Sequence, residues 1–121
     1  SSASPDKLYV PLDPDKNRPT VQSQLADKNS LWYEIQKLIK IRQENPALQS
    51  LGEIEFINDG YPMVYTRSLQ NQLVTVVINP ADKEYELNCS EGKILYSCGG
   101  KVTYEKSKYI ISGKTAVFIE K

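Results

Sequence analysis

The chain contains no histidine. That absence removes Ser-His-Asp and Cys-His nucleophilic triads, the His-bearing zinc sites and the commonest general base. Composition therefore argues against a self-contained hydrolase, although a carboxylate mechanism stays open. Neither sign of charge is in excess, because 15 Lys and Arg balance 15 Asp and Glu. A neutral domain lacks the electrostatic footprint of a nucleic-acid binder or a polybasic membrane sensor, so neither nucleic acid nor membrane is expected as a partner. No apolar run approaches the roughly 18–20 residues of a membrane span, and no signal-peptide core is evident. Cysteine is scarce: Cys89 and Cys98 are too few and too far apart for a CxxC redox or zinc motif. Residues 85–98 read as a hairpin turning at Ser90-Glu91-Gly92-Lys93, with Cys89 beside the turn. Cys98 then falls roughly 13 Å further along, beyond the ~7 Å Cα separation that a disulfide tolerates. Two free thiols are expected, and the compartment stays undecided. Asn88-Cys89-Ser90 fits the N-glycosylation pattern but, without a sign of secretion, reads as chance.

What is present suits one soluble domain: 121 residues, 40% hydrophobic and 25% charged, bury a core without staples. Residues 1–26 hold Pro5, Pro11, Pro14 and Pro19 among Asp6, Asp13, Asp15 and Asn17, with no period of either kind. Proline fixes φ and removes a donor, so an extended, turn-rich arm is expected. Ser1-Ser2-Ala3-Ser4-Pro5 looks like a linker or an artificial chain end, and so long an irregular arm hints at excision from something larger. Residues 27–45 predict the one helix. Asp27 serves as N-cap, and Leu31, Ile35, Leu38, Ile39 and Arg42 follow at i, i+4, i+7, i+8 and i+11, with Trp32 widening the stripe. Pro46 stops it.

From Leu51 the period switches to two and turn residues recur. The expected strands are Ile54–Ile57, Met63–Arg67, Leu73–Ile78, Glu84–Cys89, Ile94–Ser97, Val102–Glu105, Lys108–Ser112 and Ala116–Glu120. Asn58-Asp59-Gly60 marks the first turn. Leu73–Ile78 is nearly continuous and β-branched, so it should be a central strand buried on both faces. About eight short strands in some seventy residues signify an antiparallel sandwich or barrel.

Few motifs carry chemistry. Asp13, Asp15 and Asn17 open a D-x-D-x-N calcium pattern, but Arg18 replaces its glycine and Gln24 its closing glutamate, so ordinary turn residues explain it better. No metal or cofactor is expected. Glu53/Glu55 and Glu84/Glu86 are same-face carboxylate pairs, yet the alternation puts them on the solvent side. Tyr65, Tyr85, Tyr96, Tyr104 and Tyr109 fall in strands, where β propensity accounts for them without a sugar platform.

Residues 8–48 also resemble a known family. Leu8-Tyr9-Val10-Pro11-Leu12-Asp13-Pro14-Asp15, Asn17-Arg18-Pro19-Thr20-Val21 and Gln24, then Ala26-Asp27-Lys28-Asn29-Ser30-Leu31 and Lys37 to Leu48, are similar to the end of the catalytic barrel in the α-amylase family, glycoside hydrolase family 13. Lys28 stands where proline is commoner in that family, and Asn79-Pro80 after Val76-Val77-Ile78 resembles a feature of its terminal sandwich. The likeness is residue-specific over 8–48 and one of pattern over 51–121.

The resemblance implies that residues 1–50 end a catalytic barrel, with its last helix at about 28–45, and that 51–121 form a C-terminal antiparallel Greek-key β-sandwich. The whole would then be mainly β, about eight strands preceded by an extended arm and one α-helix. It implies a parent acting on an α-glucan or α-glucoside by the two-carboxylate retaining mechanism, hydrolase or glucosyltransferase. The family's catalytic acids lie on earlier barrel strands, so no catalytic residue carries over. The chain's role would be structural, its partner the barrel of the same polypeptide, with Leu31, Trp32, Ile35, Leu38 and Ile39 as the interface and Asp13, Asp15 and Arg18 near the sugar. Separated from a barrel, the helix face is expected to seek cover in a homodimer. An independent glycan-binding module and a generic interaction sandwich are the alternatives.

Overall fold

The computed structural model describes Ser4, Asp6, residues 8–58 and residues 60–121. Ser1-Ser2-Ala3 and Pro5 of the expected linker, and Asp59 of the expected turn, lie outside the described residues, as does Lys7. The chain divides into two compact units, residues 1–39 and 40–121.

In the first unit residues 8–19 carry no helix or strand, as the prolines require. The arm is not irregular throughout, however: α1 (Val21–Ala26) follows Thr20. Thr20 Oγ1 accepts from the Ser23 amide at 3.1 Å while the Thr20 amide donates to Ser23 Oγ at 3.0 Å. This reciprocal cap starts a helix too short for any periodicity to reveal. The main helix, α2 (Leu31–Glu44), begins later than expected. Asp27 is not its N-cap: it ends α1, and its carboxylate accepts from the Asn29 amide at 2.9 Å in a local turn. Ser30 holds the cap position, its carbonyl accepting from the Glu34 amide. A remote side chain completes the cap, Gln24 Oε1 accepting from the Trp32 amide at 3.0 Å.

The second unit takes in the last turn of α2, a 3-10 turn at Pro46–Leu48, and eight strands. These are β1 (Glu53–Asn58), β2 (Met63–Leu69), β3 (Gln72–Asn79), β4 (Tyr85–Asn88), β5 (Lys93–Cys98), β6 (Val102–Glu105), β7 (Lys108–Ile111) and β8 (Thr115–Glu120). The large sheet runs β1-β2-β3-β8-β5 and the small one β4-β7-β6, all pairs antiparallel. β5 pairs with β8 while β6 and β7, between them in sequence, pair in the other sheet, a nested connection of the Greek-key kind. The sandwich expected from the alternation is present. β3 is central, with Val74 to Val77 all buried.

The hairpin expected over 85–98 is not formed. β4 lies in the small sheet and β5 in the large one, so residues 89–92 cross between layers. Tyr109 fastens that crossing: its hydroxyl accepts from the Gly92 amide at 2.8 Å and donates to the Gly92 carbonyl at 2.9 Å. A Cβ on Gly92 would lie 2.3 Å from the Glu120 carbonyl, so this glycine marks a close approach to β8 rather than a hairpin turn. Both cysteines are free thiols, Cys98 exposed.

Between the sheets lie Val64, Val77, Val117 and Ile119 from one layer and Leu87, Tyr109 and Ile111 from the other. Each buried aliphatic side chain contributes roughly 1.5–3 kcal/mol relative to exposure. The outer face of the large sheet bears a second cluster, Val74 and Val76 under Ala47, with Leu48, Tyr65 and Phe118 packed against it. A polar latch holds this 3-10 turn in place. Gln72 Oε1 accepts from the Ala47 amide at 3.0 Å, and its Nε2 donates to Asn45 Oδ1 at 2.9 Å and Glu120 Oε1 at 2.7 Å. Arg67 donates to the carbonyls of Gln49 and Gly52 at 2.6 and 3.1 Å.

Candidate functional site

Two groups of residues come from the sequence as candidates, and both fall mainly in the first unit. In the arm, Asp13 Oδ1 accepts from the Asp15 amide at 2.9 Å, and Asp15 Oδ1 accepts from the Asn17 amide at 2.8 Å. Each carboxylate thereby closes a turn two residues on, which is the ordinary use of Asp beside proline. The Arg18 guanidinium donates to the Asp15 carbonyl at 3.1 Å. Asp13 and Arg18, with Leu12, Pro19, Val21 and Leu25, line an open groove between the arm and α1. Asp15 shares the loop but not the groove lining. The groove offers an apolar floor with one carboxylate and one guanidinium at its rim. A single carboxylate does not serve two-acid acid–base chemistry, which needs two acids held across a pocket.

The second group lies on α2. Leu31, Trp32, Ile35 and Ile39 are between 39% and 65% exposed, and Leu38 is half-buried. The apolar stripe legible in the sequence is therefore present and largely uncovered. Beside its first turn, Tyr33 donates to the Leu25 carbonyl at 3.0 Å and Lys28 Nζ stands 4.6 Å over the Tyr33 ring.

The other motifs resolve into structure. Glu53, Glu55, Glu84 and Glu86 are all exposed, and Glu86 pairs with Lys108 at 2.7 Å on the small sheet. Among the strand tyrosines, Tyr109 and Tyr96 are buried, Tyr104 packs tilted against Tyr109 with ring centroids 4.7 Å apart, and Tyr96 packs tilted against Phe118 at 5.3 Å. Tyr65 and Tyr85 are half-buried. These rings are core and layer contacts rather than a solvent-facing pair. Among the described residues no group of His, Cys, Asp or Glu is placed to hold a metal ion. Composition and period did not single out Asn79, buried, whose Nδ2 donates to the carbonyls of Lys83 and Ser112 at 2.8 and 3.1 Å. They also passed over the exposed aromatic rings Phe56 and Tyr61 at the β1–β2 end.

No protein-family model matches the chain. An oligo-1,6-glucosidase of Parageobacillus thermoglucosidasius is 30% identical over 77 residues, which is 62% of this chain and 14% of that enzyme. The trehalulose synthase of Pseudomonas mesoacidophila superposes with a TM-score of 0.78 at 18% identity, over 93% of this chain and 21% of that one. An α-amylase from H. orenii superposes with a TM-score of 0.68 at 24% identity, over 84% of this chain and 22% of that one. At these identities the superpositions establish the shared fold. The chain spans about a fifth or less of the length of each of these relatives. The likeness to the α-amylase family seen over residues 8–48 thus extends to a curated glucosidase and to the folds of its structural neighbours.

Proposed function

We propose that this chain is the C-terminal part of an α-amylase-family glycosidase: the last loop and helix of a catalytic barrel in residues 1–50, and the terminal β-sandwich in 51–121. The observation that carries this reading is the disproportion of the glucosidase match, 62% of this chain against 14% of the relative. The rest of such an enzyme supplies the barrel, the two catalytic carboxylates and the α-glucoside site. In this reading the chain's work is mechanical. The stripe of Leu31, Trp32, Ile35, Leu38 and Ile39 packs on the barrel, where its side chains bury the apolar surface they still expose. Asp13, Asp15 and Arg18 stand on a loop at the catalytic face, where barrel enzymes carry their substrate contacts.

The residues encoded upstream of Ser1 test the proposal directly: seven further βα units with paired acids, and then the eighth strand, are expected, and an unrelated upstream sequence overturns it. The 121-residue chain alone should turn over no activated α-glucoside. Turnover by pure material that is lost on mutating one acid of this chain would sink the assignment of a non-catalytic role.

A further inference from the structure

The small sheet is bounded by two edge strands, β4 and β6. Just before β6 the Ser112 amide donates to the Lys101 carbonyl at 3.0 Å, and this bond fixes the parity of the strand. Lys101, Thr103 and Glu105 turn their main-chain groups toward β7, so Val102 and Tyr104 turn theirs away from the sheet. The side chains alternate as well. Val102 and Tyr104 pack on the core, whereas Lys101 and Glu105 share the outer face and are exposed. Among the described residues neither of these two charges enters an ion pair within the chain. We propose that β6 is a homotypic pairing edge, to which β6 of a second copy adds antiparallel with Thr103 opposite Thr103.

Self-complementarity selects both that occupant and that register. With Thr103 at the centre, Val102 of each copy faces Tyr104 of the other, and these outward-turned residues exchange their main-chain hydrogen bonds. The same register sets Lys101 of each copy opposite Glu105 of the other, so the two-fold axis makes the attraction twice. Sliding by one residue breaks the hydrogen-bond parity. Sliding by two keeps it but sets Thr103 opposite Lys101 or Glu105, and both ion pairs are lost. The other edges do not offer this match. β1 and β5 each carry a register irregularity, a natural guard against edge pairing, and β4 holds Glu86 with no cation. Two strands this short bury less than the roughly 1,000 Å² of a stable interface, so the association is weak, with Kd on the order of 1 mM. It is therefore separable from association through the α2 stripe. It uses only residues 101–105 and stands apart from the reading of the chain as the end of a barrel enzyme.

The test uses the 121-residue chain carrying Leu31→Glu/Leu38→Glu, which silences the α2 stripe, followed by NMR from about 0.05 to about 2 mM. Concentration-dependent shifts of the Val102 and Tyr104 amides are expected, with isotope-filtered contacts between the Thr103 α protons of different copies. Adding Lys101→Glu, or separately Glu105→Lys, sets like charges opposite each other and should weaken the association about tenfold. Mixing these two chains, or combining both swaps in one chain, should restore it. If the Leu31→Glu/Leu38→Glu background fails to fold, the same swaps are read in the wild-type chain by the same filtered contacts. Absence of association at about 2 mM, undiminished association of Lys101→Glu, or intermolecular contacts centred on another strand overturns the proposal.

Discussion

Asn79 shows how much one buried side chain carries. It sits at the end of β3, and its amide joins the Lys83 loop to Ser112, just past β7. Asn79→Ala leaves two carbonyls without that donor and should cost about 2 kcal/mol in urea denaturation, the toll of orphaned buried polar groups. Asn79→Asp tests the cause, since the substituted carboxylate keeps the shape but cannot donate when ionised. Gly52 is constrained for a different reason. A Cβ there would lie 2.0 Å from the Ala47 carbonyl and 2.9 Å from Arg67 Nη2. Gly52→Ala forces the 3-10 turn off the sheet and should destabilise by roughly 1–3 kcal/mol, read by the same denaturation.

At the scale of elements, the β6–β7 hairpin turns through Lys106 and Ser107, both with positive φ (49° and 63°). This two-residue turn prefers Asn-Gly, so Lys106→Asn/Ser107→Gly should add about 1 kcal/mol and raise Tm by on the order of 4–8 °C. The α2 stripe gives a second prediction. Its uncovered aliphatic face should drive the isolated chain into dimers at high concentration, and Leu31→Glu/Leu38→Glu should return it to monomer in sedimentation. A wild-type chain that stays monomeric with Trp32 emission fully exposed would refute this. All eight strands were legible, because period-two alternation and β-branched runs such as Leu73–Ile78 are local properties. The partners of β4 and β5 were not. Ser90-Glu91-Gly92-Lys93 carries hairpin residues, yet Gly92 is needed for its approach to Glu120, a contact 28 positions away. The start of α2 was misplaced similarly, since its cap comes from Gln24 across a turn and not from Asp27 in line with the helix. The apolar stripe was legible residue by residue. The Phe56–Tyr61 patch was hidden because strand aromatics read as core until the sheet order makes β1 an edge.

For the molecule as a whole, the independent glycan-binding alternative predicts saturable binding of maltooligosaccharides. With its strand tyrosines packed into core and layer contacts, calorimetric titration should give dissociation constants weaker than about 0.1 mM, or roughly −5.5 kcal/mol. Tighter binding would favour that alternative. Among the described residues no helix is long and apolar enough to cross a membrane. The Gln72 latch has a last consequence, for force. A pull on the end of α2 reaches Asn45 and Ala47 first, and Gln72 and Glu120 pass it to β3 and β8 in the middle of the sheet. Arg67 grips Gln49 and Gly52 from β2 just before β1 begins, so the tether is anchored upstream of that edge strand. Tension arriving from the chain before Asn45 therefore reaches β2, β3 and β8 through these side chains before it reaches the edge strand β1.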